Sequence, residues 1–193
     1  MKESPRIVAF AGSTRTKSYN KRLVRIAARG ATQAGAQVEI VDLRDLNLPV
    51  FDEDEEAKNG PPEGATRFKA VLKSCDGILI SSPEYNSSLS AALKNAIDWA
   101  TRPAEGEAPL EAFAGKTAVI MSASPGGLGG LRGLVHLRAI LGNIRVIVLP
   151  EQHAVGSAHE VIGDDGEIGD DELRSKIEGL GARLCEVCSK LGH

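Results

Sequence analysis

Arg6-Ile7-Val8-Ala9-Phe10-Ala11-Gly12-Ser13-Thr14-Arg15-Thr16-Lys17-Ser18-Tyr19-Asn20 is the stretch that decides the fold. Its apolar run, Ile7 to Ala11, has neither the alternation of a half-exposed strand nor the spacing of a helix, so it reads as a strand covered on both faces. The run stops at Gly12, crosses a polar loop, and enters a segment where Leu23, Ile26, Ala27, Ala31 and Ala34 recur at helical spacing. Strand, loop and helix in that order make the first half of a βαβ unit. Working outward, similar runs occur at Val38–Val41, Gly77–Ser81, Thr117–Met121 and Ile144–Leu149. Helical stripes fall between and after them: Phe68, Val71, Leu72 and Cys75; Ala91–Ala100; Leu131–Leu141; and Leu173, Ile177, Leu180, Leu184, Val187 and Leu191, with Asp170-Asp171 placed to cap the last. Such alternation predicts an α/β fold: a five-stranded parallel sheet with right-handed crossovers and helices on both faces. In that architecture ligands bind beyond the carboxyl ends of the strands, where strand order reverses. The loops after strands one, three and four are therefore where chemistry is expected.

No Pro/Gly/Ser-rich stretch divides the 193 residues, so residues 1–193 are expected to form one domain. Three cysteines, Cys75, Cys185 and Cys188, show no disulfide framework, and Met1-Lys2-Glu3-Ser4-Pro5 begins without an apolar signal. Both features predict a cytoplasmic protein. No apolar run approaches the roughly 18 residues a membrane span needs. A formal charge of −3 argues against a nucleic-acid partner, which requires a basic face.

The loop after strand one places hydroxyls, an amide, a guanidinium and backbone N–H groups at a helix N-terminus, the parts of an anion site. It is neither G-x-G-x-x-G nor G-x-x-x-x-G-K-[ST], which counts against dinucleotide and triphosphate binding there, whereas a hydroxyl-rich loop suits a flavin monophosphate. The plainer alternative is that Ser18 only caps the helix and Arg15 is solvated. After strand three, Ser81-Ser82-Pro83-Glu84-Tyr85-Asn86-Ser87-Ser88 leads into Leu93-Lys94-Asn95-Ala96-Ile97-Asp98-Trp99. After strand four comes Ser124-Pro125-Gly126-Gly127-Leu128-Gly129-Gly130. Glycines there let backbone approach a flat ring closely and offer N–H groups to a negative charge, though a flexible turn would read the same way.

With the segment Leu48-Pro49-Val50-Phe51-Asp52, these motifs stand in an order that resembles the NADPH-dependent FMN reductase family, over nearly the whole chain. The resemblance implies a flavodoxin-like three-layer sandwich with strand order 2-1-3-4-5. It implies FMN as cofactor and NADPH or NADH as co-substrate. Ser13, Arg15, Ser18 and Asn20 would hold the FMN phosphate, Pro83, Glu84, Tyr85 and Asn86 would line the ring, and Ser124, Gly126 and Gly127 would close its other side. Electrons would pass to a small acceptor: a quinone, azo compound, chromate or free flavin. One departure is the pair Ser87-Ser88, where the family usually has a glycine soon after P-E-Y-N.

Other features read as structure. Cys185-Glu186-Val187-Cys188 has redox spacing but lies near the carboxyl end of the last helix, where the dipole does not favour thiolate. His136, His153, His159 and His193 show no ligand spacing, so no metal is expected, and no side chain is assigned an acid or base role. Asp52-Glu53-Asp54-Glu55-Glu56 reads as a solvated loop. Leu89–Arg102 carries more apolar surface than one sheet face uses, which predicts a homodimer or homotetramer joined through Leu93, Ile97 and Trp99, the competing account being that this helix sits deep in one subunit beneath the last helix. A flavodoxin-like carrier serving protein partners is the competing function. Such carriers are strongly acidic, and a charge of −3 is mild.

Overall fold

The computed structural model describes residues 4–192, so His193 lies outside the described residues. In chain order the strands are β1 (Arg6–Ala11), β2 (Gln37–Asp42), β3 (Gly77–Ser81), β4 (Glu84–Tyr85), β5 (Ser88–Leu89), β6 (Thr117–Ala123) and β7 (Ile147–Val155). The helices are α1 (Tyr19–Gln33), α2 (Glu53–Asn59), α3 (Glu63–Lys73), α4 (Ala91–Ala100), α5 (Leu131–Asn143), α6 (Ala158–Val161) and α7 (Asp171–Leu191). A 3-10 turn, Leu43–Leu46, follows β2.

Five strands pair in parallel in the order β2-β1-β3-β6-β7, the flavodoxin-like order, and β4 and β5 form a separate antiparallel hairpin. β3 and β6 are buried at every position, as is β1 after Arg6, because helices cover both faces of these central strands. Successive residues alternate between two cores. Ile7, Ala9, Leu79, Val119 and Met121 pack with Leu23, Ala27, Ile177 and Leu184 of α1 and α7. Val8, Phe10, Ile78, Ile80 and Ile120 pack with Phe68, Leu93 and Leu134 of α3, α4 and α5. The chain leaving β1 thus turns to one face and the chain leaving β3 to the other. A crevice opens between their carboxyl ends.

Two expectations are corrected here. The fifth strand is not Ile144–Leu149: α5 continues to Asn143, Ile144 is its buried C-cap, and Arg145 sits at φ 67°. The strand begins at Ile147 and runs to Val155, with a register shift between Ala118 and Ile120 of the neighbouring β6. Pro150 falls in that irregular stretch of an edge strand, where a missing N–H is tolerated. The acidic run is not a loop either. Asp52 caps α2 by accepting from Asp54 N and Glu55 N, and Glu56 pairs with Arg102 at 2.7 Å.

Candidate functional site

Three loops meet at the carboxyl edge of β1, β3 and β6, and their seams are polar side chains spent on backbone. Gly12 N donates to Ser81 O at 2.9 Å, and Gly12 O accepts from the Ser90 hydroxyl. Ser90 also caps α4 by accepting from Leu93 N at 3.1 Å, so one hydroxyl ties the first loop to the helix behind the second. Asn20, 3% exposed, crosses the sheet end: its Nδ2 donates to Ala123 O at 2.8 Å, and its Oδ1 accepts from Ala123 N at 2.9 Å and Ser81 Oγ at 2.8 Å. The structure therefore uses Asn20 to fasten α1 to β3 and β6.

Between these fastenings the first loop keeps donors in reserve. Ser18 is the N-cap of α1, yet its hydroxyl makes no capping bond, so the plain capping reading fails. Ser13 Oγ accepts from Arg15 N at 3.3 Å, curling the loop back on itself. Backbone N–H groups of Thr14, Thr16, Lys17 and Ser18 find no acceptor among the described residues. The Arg15 side chain is exposed, 5.6 Å from the Tyr19 ring, with no ion pair among the described residues. Unspent donors at a helix start are the equipment of an anion site.

The second loop is a hairpin whose turn, Asn86–Ser87, has φ 51° and 64°. Consecutive left-handed residues are what a two-residue hairpin demands, and Ser87 stands where glycine is favoured. The Glu84 carboxylate turns away from the crevice: it accepts from Arg132 Nη2 at 2.6 Å and from Gly133 N at 2.9 Å, with 8% of the side chain exposed. Burial pushes its carboxyl up, but the Gly133 amide and the Arg132 guanidinium outweigh this and hold it below the ordinary carboxylate range. Glu84 thereby rivets the hairpin to the start of α5. Pro83 is buried, while Tyr85 is 58% exposed.

In the third loop Gly129 and Gly130 are obligatory: φ is 63° and 92°, and a Cβ would meet Val155 backbone at 2.6 Å and Ser122 Oγ at 2.9 Å. At Gly127 an added Cβ meets nothing within 4 Å. Gly126 and Gly127 thus border open space on the same edge. Ser124 Oγ accepts from Gly126 N at 3.2 Å.

The Leu93–Trp99 segment of α4 proves structural. Asn95 Nδ2 and Trp99 Nε1 both donate to Pro49 O at 2.8 Å, and Phe51 stacks edge-on against Trp99 with centroids 4.9 Å apart. Leu93, Ile97 and Trp99 are at most 3% exposed within the chain, which corrects their assignment to a subunit interface. Trp99 is covered by Pro49 and Phe51, and Leu93 packs under Gly12. Leu131 and Val135 of α5 are among the exposed apolar side chains, as are Tyr85 of the hairpin and Leu128, and a groove of about 450 Å³ between hairpin, α4 and α5 is lined by Leu89, Ala91, Lys94, His136, Ala139 and Ile140. Arg44, Arg132 and Ser90 also shape the site, and spacing gave no signal for them.

The thiols are remote. Cys75, Cys185 and Cys188 are buried, and burial pushes Cys75 up to about 11 and Cys188 to about 12. Among the described residues no helix is long and apolar enough to cross a membrane.

Residues 5–160 match the family described as NADPH-dependent FMN reductase. An NAD(P)H-dependent FMN reductase of Pseudomonas aeruginosa is 34% identical over 179 residues, 92% of each chain. A quinone reductase of Escherichia coli is 31% identical over 194 residues, covering 97% of this chain and 99% of that one. The solved structure of FerB, a flavoenzyme NAD(P)H:(acceptor) oxidoreductase from Paracoccus denitrificans, superposes with a TM-score of 0.78 at 28% identity, covering 96% of this chain and 98% of that one.

Proposed function

Since the chain belongs to the NADPH-dependent FMN reductase family, we propose that it acts as a single cytoplasmic domain that moves electrons from NADPH or NADH, by way of FMN, to a small acceptor such as a quinone. It is an oxidoreductase with FMN as cofactor and NAD(P)H as co-substrate. Azo compounds, chromate and free flavin are further acceptors within the same reading.

The observation that carries this reading is the first loop, with the unspent Ser18 hydroxyl and free N–H groups at the N-terminus of α1, beside the crevice. These fit a terminal phosphate: Ser13, Ser18, the loop amides and Arg15 would hold it, with Asn20 fixing the loop to the sheet. When bound, FMN supplies reversible hydride and electron chemistry. Backbone of Pro83 to Asn86 would border one side of the ring, with Tyr85 at the mouth, and Ser124, Gly126 and Gly127 the other. The chain contributes binding, orientation and shielding, and no side chain has to move a proton for the electron transfer itself.

We place a homodimer or homotetramer contact on the exposed face of α5, close to the hairpin, in the same proposal. Flavin released on denaturation should chromatograph as FMN, and anaerobic mixing with NADPH should bleach the bound flavin directly. FAD as the main species would refute the phosphate assignment. Bleaching only when a protein partner is added would favour the carrier.

A further inference from the structure

We propose that Arg44, with Asp42 and Lys21 behind it, is a positioning residue that pre-shapes the Gly12–Ser18 loop for the cofactor phosphate, an inference that rests on the reading of that loop as the phosphate site.

Lys21, in the first turn of α1, has a side chain only 8% exposed, and its ammonium lies 2.6 Å from Asp42 Oδ2 at the end of β2. A buried ammonium is costly unless paired, so the position of Asp42 is dictated by α1. Burial raises the Asp42 carboxyl, but the Lys21 ammonium and the Arg44 N–H outweigh it and keep Asp42 anionic below the ordinary range. Its other oxygen accepts from Arg44 N at 3.0 Å and so sets the first residues of the 3-10 turn. From that turn the Arg44 side chain reaches back across the edge of the sheet. Its Nη1 donates to Thr16 Oγ1 at 2.8 Å and approaches Thr14 O at 3.5 Å.

The rest of the loop is fastened only at its ends, by Gly12 to Ser81 and Ser90 and by Asn20 to β3 and β6. Thr14 to Lys17 are exposed, and Arg44 is the tie from another element to this middle section among the described residues. Ordering a free loop on ligand binding costs backbone entropy at every residue fixed, so a tie made beforehand preserves affinity. A guanidinium suits the task because Nη1, held in the guanidinium plane, carries two N–H groups and can face a hydroxyl and a carbonyl together. The chain α1–Lys21–Asp42–Arg44–Thr16 starts on the helix that follows the loop and ends in the loop's middle.

The test is titration of flavin-free protein with FMN and with riboflavin, which lacks the phosphate, followed by quenching of flavin fluorescence. The unsubstituted protein should prefer FMN strongly; no preference would sink the phosphate reading itself, whatever Arg44 does. Arg44→Gln should weaken FMN about tenfold, one hydrogen-bonded tie's worth, with riboflavin unchanged. Thr16→Val should do the same, and the double variant should be no weaker than the weaker single one. Arg44→Lys should stay close to Arg44→Gln. Additive losses would mean that Arg44 meets the phosphate directly, full recovery by lysine that charge alone acts, and equal loss for both flavins that the effect is general; each overturns the proposal, as does no loss.

Discussion

Glu84 stabilises the hairpin through a carboxylate whose folded-state pKa lies below that of an unfolded glutamate, about 4.3. A depressed pKa makes this contribution complete above the unfolded value, and it fades as pH falls through the folded one. In Glu84→Gln, the loss in melting temperature should be largest above about pH 5 and shrink steadily in acid; a loss independent of pH would mean that shape, and not charge, holds the hairpin to Gly133 and Arg132. Next to it, Ser87 at φ 64° bears the cost of a side chain in the left-handed region. Ser87→Gly relieves that cost and adds some unfolded-state freedom, for an expected net gain of about 0.5–1 kcal/mol in denaturant unfolding. A loss would show that the serine side chain does more in the turn than its backbone costs.

At the scale of elements, α1 and α7 lie backbone against backbone. A Cβ at Gly181 would lie 1.8 Å from Ala27 O, and one at Gly30 would lie 2.0 Å from Glu178 O, so the two backbones touch. Gly181→Ala should force them apart and destabilise by about 1–3 kcal/mol. Gly179→Ala, on the same helix with nothing within 4 Å, should instead gain up to about 1 kcal/mol from helix propensity; thermal unfolding of the pair separates packing from propensity. The central strands are legible because strands buried on both sides are written as unbroken apolar runs, and α7 because it is one long stripe, whereas β2 and β7 lie at the sheet's edges and are not buried on both faces. The Ile144–Leu149 run misled because it joins a helix end to a strand start, and only the left-handed Arg145 marks the seam. The apolar circumference of Leu93–Trp99 misled for a different reason: local sequence says that a surface must be covered, not whether Phe51 or a second chain covers it. The loops were legible as loops after β1, β3 and β6. Partner choices such as Arg44 with Thr16 or Glu84 with Gly133 join residues 28 and 49 positions apart, beyond any spacing rule.

For the whole molecule, the exposed Leu128, Leu131 and Val135 set the expectation for assembly, at 56%, 42% and 61% exposure. Light scattering at micromolar concentration should give a mass that is a multiple of 20.4 kDa, and Val135→Glu should lower it while flavin stays bound. A mass of one chain, or a mass that Val135→Glu leaves unchanged, would remove α5 from the interface. The Asn20 bridge has a consequence at this scale too. Because it joins α1, β3 and β6 through the chain's own groups, the rim of the crevice is expected to open together with the central sheet. In hydrogen–deuterium exchange, the Ala123 amide should open only with global unfolding, equally slowly with and without flavin. The amides of Thr16 and Lys17 should exchange fast in the flavin-free protein and slow markedly once FMN is bound. Loss of cofactor would then loosen a few loop residues while the rim stays shut to solvent, and the emptied protein would refill without having to refold.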